Sequence, residues 1–394
     1  MIGPIYCLIS GCTPQIHPER SQWEESVYEP VRCEDKHVPG PLVEEAIKTL
    51  VDDEDEEWMD NVTVIGLADN RGKLIGHQDK SLRAEKKGFD VGRLRDAPIL
   101  SDHCYVDRDS WEYGDILSKT KRKPTVYHVS QGVCFMVLTR TLAIMRRATD
   151  GQLTPQRLWR LAMILGRDTG FSGTGIKDID YGFNVGQAYY PWTLPGLYHN
   201  DMCKLESLGD LELVKEAMML QGGYWVWTAP DRFPLGAPGQ HARRPKDEAE
   251  PSNAPNPAKF EMLPIEALTH IMTLVSLADI VSVASASKRL QHKILGVHSN
   301  TNTIAREWIN ANAPWYKPYQ RDEEETHQSD DDGDSIVSDD LEEDDDDDNE
   351  DGAIPIADWW QYLKRCLQSG SMKNRKRIWA VCERLEQKAD EFGV

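Results

Sequence analysis

Three cysteines and two histidines fall within 31 residues near the start of the chain: Cys7, Cys12, His17, Cys33 and His37. Thiolates and imidazoles are the ligands zinc prefers, and a structural site needs four of them. These residues lack the tight C-x2-C pair of common structural sites. The expectation is therefore ordinary buried thiols and surface imidazoles, with metal binding by Cys7, Cys12 and Cys33 left open. A second candidate is the glycine-rich stretch GFSGTGIKDIDYGFNVGQAYYPWTLPG. A phosphate loop needs a strand leading in, a GKS or GKT close and a helix leading out, and none is present. A turn-rich surface segment pinned by Tyr181, Tyr189, Tyr190 and Trp192 is expected instead. No nucleophile elbow, HExxH pair or coherent carboxylate pair occurs in the first 235 residues. No catalytic residue, metal or other cofactor is therefore assigned, and the chain is read as non-enzymatic. KTKRKP, residues 119–124, packs four cations into five positions and reads as a solvated loop or an import signal.

The elements that would position any chemistry here are of mixed type. IYCLISGC is a short apolar run read as a buried strand. PLVEEAIKTLV, residues 41–51, has helical spacing with Pro41 in the first turn. NVTVIGLADNRGKLIG, residues 61–76, reads as a hairpin around an Asp-Asn-Arg-Gly turn. Residues 77–124 are polar and hard to place. VSQGVCFMVLTRTLAIMRRA, residues 129–148, is apolar in its body and basic at its end, which predicts a buried helix. LTPQRLWRLAMILG places Thr154 as N-cap, Pro155 at the first helical position and Gly166 past the end. Leu158, Leu161, Ala162 and Leu165 share one face of that helix. GGYWVW reads as a late strand.

Length and composition agree with a packed protein of two or more units: 394 residues, 40% hydrophobic, twelve tryptophans. The formal charge of −21 is local in origin. Between residues 322 and 351, 19 of 30 residues are Asp or Glu and none is Lys or Arg. Without those 19 charges the remainder carries only −2, which argues against a broad nucleic-acid surface. The eight cysteines are scattered without a CxxC pair, as expected of reduced thiols. MIGPIYCLISG lacks a basic start and a small-residue cleavage site. No apolar run reaches the roughly 18–20 residues that span a bilayer. A soluble protein of the cytoplasm and/or nucleus, without membrane contact, is expected.

Residues 236–259, rich in Pro, Gly and Ala, read as a linker between residues 1–235 and a helical segment, 260–318. That segment opens with LPIEALTHIMTLVSLADIVSVASASKRLQHKI. Pro264 suits the first helical position, Glu266 favours the positive helix start, and Leu268, Ile271, Met272 and Val275 recur at helical spacing. Ser276 caps a second helix carrying Leu277, Ile280, Val281 and Ala284. Ser287 opens a third, stopped by Gly296, and TIAREWI follows, ending near Trp308. About 40 residues make a marginal core, so a partner is expected to cover part of this surface.

This stretch resembles an F-box. The Leu263-Pro264-x-Glu266 start, the helix ending at Leu274, the Leu277-Ala278-Asp279-Ile280 step and the Ser287-Lys288-Arg289-Leu290 close carry the resemblance. It covers about 50 of the 394 residues. Ala267 stands where a larger aliphatic residue is usual, and Ala284 and Ala286 make the second helix small. The resemblance implies a substrate receptor of an SCF-type cullin–RING ubiquitin ligase, serving ubiquitin-dependent proteolysis. It implies docking on a Skp-type adaptor through Leu263, Pro264, Ile265, Leu268, Ile271, Leu274, Leu277 and Ile280, with Pro264 and Ile271 among the anchors. An unidentified protein target would bind elsewhere, in residues 1–235.

Residues 319–355 contain the acidic run and are expected to be disordered. Ser329, Ser335 and Ser338 lie among its acids. Residues 356–394 read as helical, with Ser371 as a cap and Ile378, Cys382, Leu385, Ala389 and Phe392 as an apolar stripe. This Trp-rich basic end is similar to the ends of large fungal F-box families. The expected fold class is α+β: a mixed N-terminal domain, a central three-helix F-box, an acidic disordered segment and C-terminal helices. The alternative function is an acidic-tail scaffold or chaperone for basic proteins, with the central helices serving only as core.

Overall fold

The computed structural model describes residues 6–12, 40–50, 61–66, 99–100, 104–106, 115–118, 126–128, 134–165, 175–176, 178–183, 205–220, 224–235, 258–319, 356 and 358–394. The chain is mixed helix and strand and divides into two compact units. One is Met1–Arg232 together with Gly370–Val394; the other is Phe233–Ser369.

The first unit is built on an antiparallel sheet. Its centre is β1 (Val62–Gly66), paired on one edge with β6 (Phe135–Leu138). On the other edge it pairs with β2 (Ile99–Leu100) and β3 (Cys104–Val106). From β3 the sheet continues to β4 (Asp115–Ser118) and β5 (Val126–His128). Every residue of β1 and β6 is buried, so neither strand shows the alternation of a half-solvated sheet. That continuous burial explains a difference from the sequence expectation. FMVL is a strand rather than part of a helix over 129–148, and among the described residues of that stretch the helix is Thr139–Ala148 (α2). A short apolar run has no period that separates a buried strand from a buried helix. The second half of the expected hairpin, 67–76, lies outside the described residues.

Residues 6–12 are buried as expected but form a turn, not a strand: Cys7 N–H donates to the Cys12 carbonyl at 2.8 Å. Leu8 N–H reaches Met136 O at 3.1 Å, fastening the turn beside β6. Tyr224–Trp227, expected as a strand, is one 3-10 turn. Helix α1 (Pro41–Leu50) forms where its pattern places it, and α3 (Pro155–Leu165) has the expected cap, with Arg157 N–H donating to Thr154 Oγ1 at 3.2 Å. Helix α4 (Leu211–Leu220) packs on α1. Tyr181 is fully buried and donates to Leu8 O at 2.9 Å. Gly175 makes room for it: φ is +77°, and a Cβ there would meet the Tyr181 ring at 2.6 Å. Tyr189, Tyr190 and Trp192 lie outside the described residues, as do Cys33, His17 and His37.

The second unit is helical: α5 (Ile265–Met272), α6 (Leu277–Ser285), α7 (Lys288–Gln291), a π turn over His292–Gly296, α8 (His298–Asn312) and α9 (Trp359–Gln368). Its core is Met272, Ile280, Ala284, Leu290, Ile294 and Ile304. Helix α9 packs on α8, with Asp358 as its N-cap and Tyr362, Leu363 and Cys366 buried. The last helix, α10 (Gly370–Glu391), belongs to the first unit and packs on α2, α3 and the 3-10 turn. Residues 356–394 therefore divide between the two units at Ser369. Ser371 lies inside α10 rather than capping it. Of the expected stripe, Ile378, Cys382, Leu385 and Ala389 are buried, whereas Phe392 is exposed. Among the described residues no helix is long and apolar enough to cross a membrane.

Candidate interaction surface

Local chemistry sets the ends of the second unit's helices. Pro264 is the N-cap of α5, one position earlier than expected, with φ −61° and ψ 155°. Its fixed φ and missing N–H suit a residue whose amide would have no helical partner. Ser276 and Asp279 form a reciprocal capping box at α6: Asp279 N–H donates to Ser276 Oγ at 3.2 Å, and Ser276 N–H donates to Asp279 Oδ2 at 3.3 Å. Ser287 caps α7 by accepting from Leu290 N–H at 3.2 Å.

Helix α8, longer than its expected core TIAREWI, closes over the end of α5. Trp308 Nε1 donates to Val275 O at 3.0 Å, and Asn312 Nδ2 donates to Thr273 O at 2.8 Å. The Thr273 bond satisfies a carbonyl at the helix C-terminus, and the Val275 bond fastens the turn that follows it. Helix α9 joins α8 through His298 Nε2 and Asp358 Oδ2 at 3.3 Å, and Trp360 N–H donates to Asn302 Oδ1 at 3.2 Å. Burial pushes the Cys366 thiol up to about 12, so it remains a neutral packing group.

The eight residues singled out in the sequence separate into three environments. Leu268 and Ile280 are fully buried and hold the unit together, so a partner cannot reach them without unpacking it. Leu263, Ile265, Ile271 and Leu277 are half-buried; the last three lean on the core. Pro264 and Leu274 are exposed, Leu274 by 74%. The sequence did not single out Phe260 and Met262, exposed by 37% and 66%; Val281, read only as part of the second helix's stripe, is exposed by 47%. Met262 directly precedes the Leu-Pro pair, and Val281 lies four residues after Leu277, so position relative to the motif could have found both. Helical spacing selects apolar residues but does not say which of two apolar flanks faces the core.

On its other side α5 faces α8 across an open groove of about 700 Å³, lined by Ile265, Glu266, Thr269, Asn300 and Glu307 among others. Among the described residues no group of three or more His, Cys, Asp or Glu side chains is placed to hold a metal ion. In the first unit, Cys7 and Cys12 lie in a buried polar cluster. Cys7 Sγ accepts from Leu138 N–H at 3.2 Å, and Arg377 Nη2 stands 3.7 Å from Cys12 Sγ. Burial raises the Cys12 thiol despite the nearby guanidinium, which disfavours a reactive thiolate. The chain matches no known family pattern, no curated protein and no solved structure.

Proposed function

We propose that the helical unit is an F-box-type docking module, and that this chain is a substrate-receptor subunit of a cullin–RING ubiquitin ligase. One observation carries this reading. Met262, Leu274 and Val281 are large apolar side chains that stand exposed on the helical unit that opens with Leu263-Pro264-Ile265-Glu266, a unit whose own core is already filled. Several large apolar side chains left in solvent on so small a unit support a surface that a partner covers. A Skp-type adaptor is the partner that the Leu-Pro-x-Glu start and the Leu-x-Asp-Ile step suit. Docking would leave the first unit to hold a protein target. The chain would act by proximity, raising the effective concentration of target lysines at an active site on another subunit. No bond is made or broken by its own side chains.

The test is retention of a purified Skp-type adaptor by the immobilised full-length chain. Leu274→Asp places a charge at an exposed position, so the fold should persist while adaptor affinity falls at least about 30-fold, as for a central anchor. The reading fails if the wild-type chain does not retain the adaptor, or if L274D retains it equally. Histone retention that depends on residues 322–351, without adaptor binding, would favour an acidic scaffold instead.

A further inference from the structure

The segment that leads into α5 is apolar at its surface and polar in its fastening. Phe260, Met262 and Pro264 are exposed along it. Beneath them Lys293, on the π turn, sends its Nζ to the carbonyl of Leu263 and to that of Glu261 at 3.4 Å. The Glu261 carboxylate accepts from Ala258 N–H at 3.0 Å and from the Ser287 hydroxyl. That hydroxyl is the main influence holding the Glu261 carboxyl below its ordinary range. Lys293 is itself tied to α8, because Asn300 Nδ2 donates to its carbonyl at 2.9 Å. Groups about thirty residues apart in sequence therefore converge on one short segment.

The arrangement needs a reason beyond packing. An ammonium group drawn partly out of water onto backbone carbonyls loses hydration, and a plain apolar contact would avoid that loss. What the bonds supply is fixation: the carbonyls of Glu261 and Leu263 flank Met262, so its backbone is held from both sides. A surface ordered before binding loses less conformational freedom when it docks.

We propose that Lys293, with Glu261 and Ser287, is a positioning residue that presents Met262 and Pro264 to the docking partner. This rests on the adaptor-docking reading above. Lys293 need not touch the partner; it acts through the segment it holds.

The experiment measures association and dissociation rates of the full-length chain with a purified Skp-type adaptor, alongside hydrogen exchange at residues 261–263. Lys293→Met should weaken binding by about 5–20-fold, a loss of the size that ordering one or two side chains produces. Exchange at 261–263 should speed up, while the near-UV spectrum stays unchanged. Lys293→Arg, which retains a donor, should bind within about threefold of wild type. Met262→Ala should cost less in the K293M background than alone, because an anchor already loosened has less to lose. K293M binding as tightly as wild type overturns the inference and leaves the adaptor reading standing. So does a K293M loss that tracks a collapsed near-UV spectrum and is not rescued by K293R, since that is a purely structural role. Failure of the wild-type chain to bind overturns the adaptor reading, and the inference with it.

Discussion

Arg377 is a charged side chain with demanding surroundings. It is almost wholly buried in the first unit, where Nη1 donates to Ser10 O at 2.7 Å and to Tyr181 O at 2.9 Å. Asn374 Oδ1 accepts from its Nε at 3.1 Å and from Nη2 at 2.8 Å, and the Phe183 ring lies 4.9 Å from its guanidinium carbon. Burial pulls its pKa down from the ordinary arginine value, yet the surrounding acceptors suit only the charged form. One residue thus joins three separate stretches of chain. Arg377→Ala should destabilise this unit by about 3–5 kcal/mol, because it strands buried acceptors and leaves a cavity. Arg377→Met, which retains most of the stem, should lose less. Denaturant unfolding followed by tryptophan fluorescence checks the order, and equal losses would argue against the hydrogen bonds as the cause. In sequence Arg377 belongs to the cationic run Lys373, Arg375, Lys376 and Arg377, which ordinarily marks a solvated face. Nothing in the spacing distinguishes the buried Arg375 and Arg377 from the exposed Lys376 between them.

At the scale of elements, capping chemistry was legible at three helix starts where packing was not, although Ser371, expected as a cap, lies inside α10. Thr154, Ser276 and Ser287 cap the helices their positions indicate, because a cap is made by groups three residues apart. Ser276→Ala should weaken α6 by about 0.5–2 kcal/mol, and the loss of the cap should speed amide exchange in its first turn. Exchange unchanged at Asp279 would show that the box contributes nothing. The strand FMVL and the 3-10 turn YWVW differ from the sequence expectation for the opposite reason. Both are short apolar runs, and their form depends on which neighbour accepts their backbone hydrogen bonds. β6 is a strand because β1 lies beside it in register, Val64 opposite Met136.

At the scale of the molecule, the first unit is assembled from both ends of the chain. Asn374 Nδ2 donates to Thr228 O at 2.7 Å across 146 residues, and Ile378, Val381, Cys382 and Leu385 of α10 are buried. Cutting the chain before Gly370 should therefore abolish the cooperative unfolding of this unit, because it removes a whole core-facing helix. Calorimetry of the truncated chain checks this, and an unchanged transition would mean that α10 is dispensable. The sequence by itself determined the serine-capped starts of α6 and α7, the Leu-Pro-x-Glu start, the confinement of the charge to 322–351 and the mixed α+β class. Those features are encoded over a few residues, or by composition alone. Only the tertiary structure decided that α9 and α10 part company at Ser369, that Leu268 and Ile280 are core, and that Met262 and Leu274 stand in solvent. Burial depends on which surfaces meet, and the residues that meet are far apart in the chain.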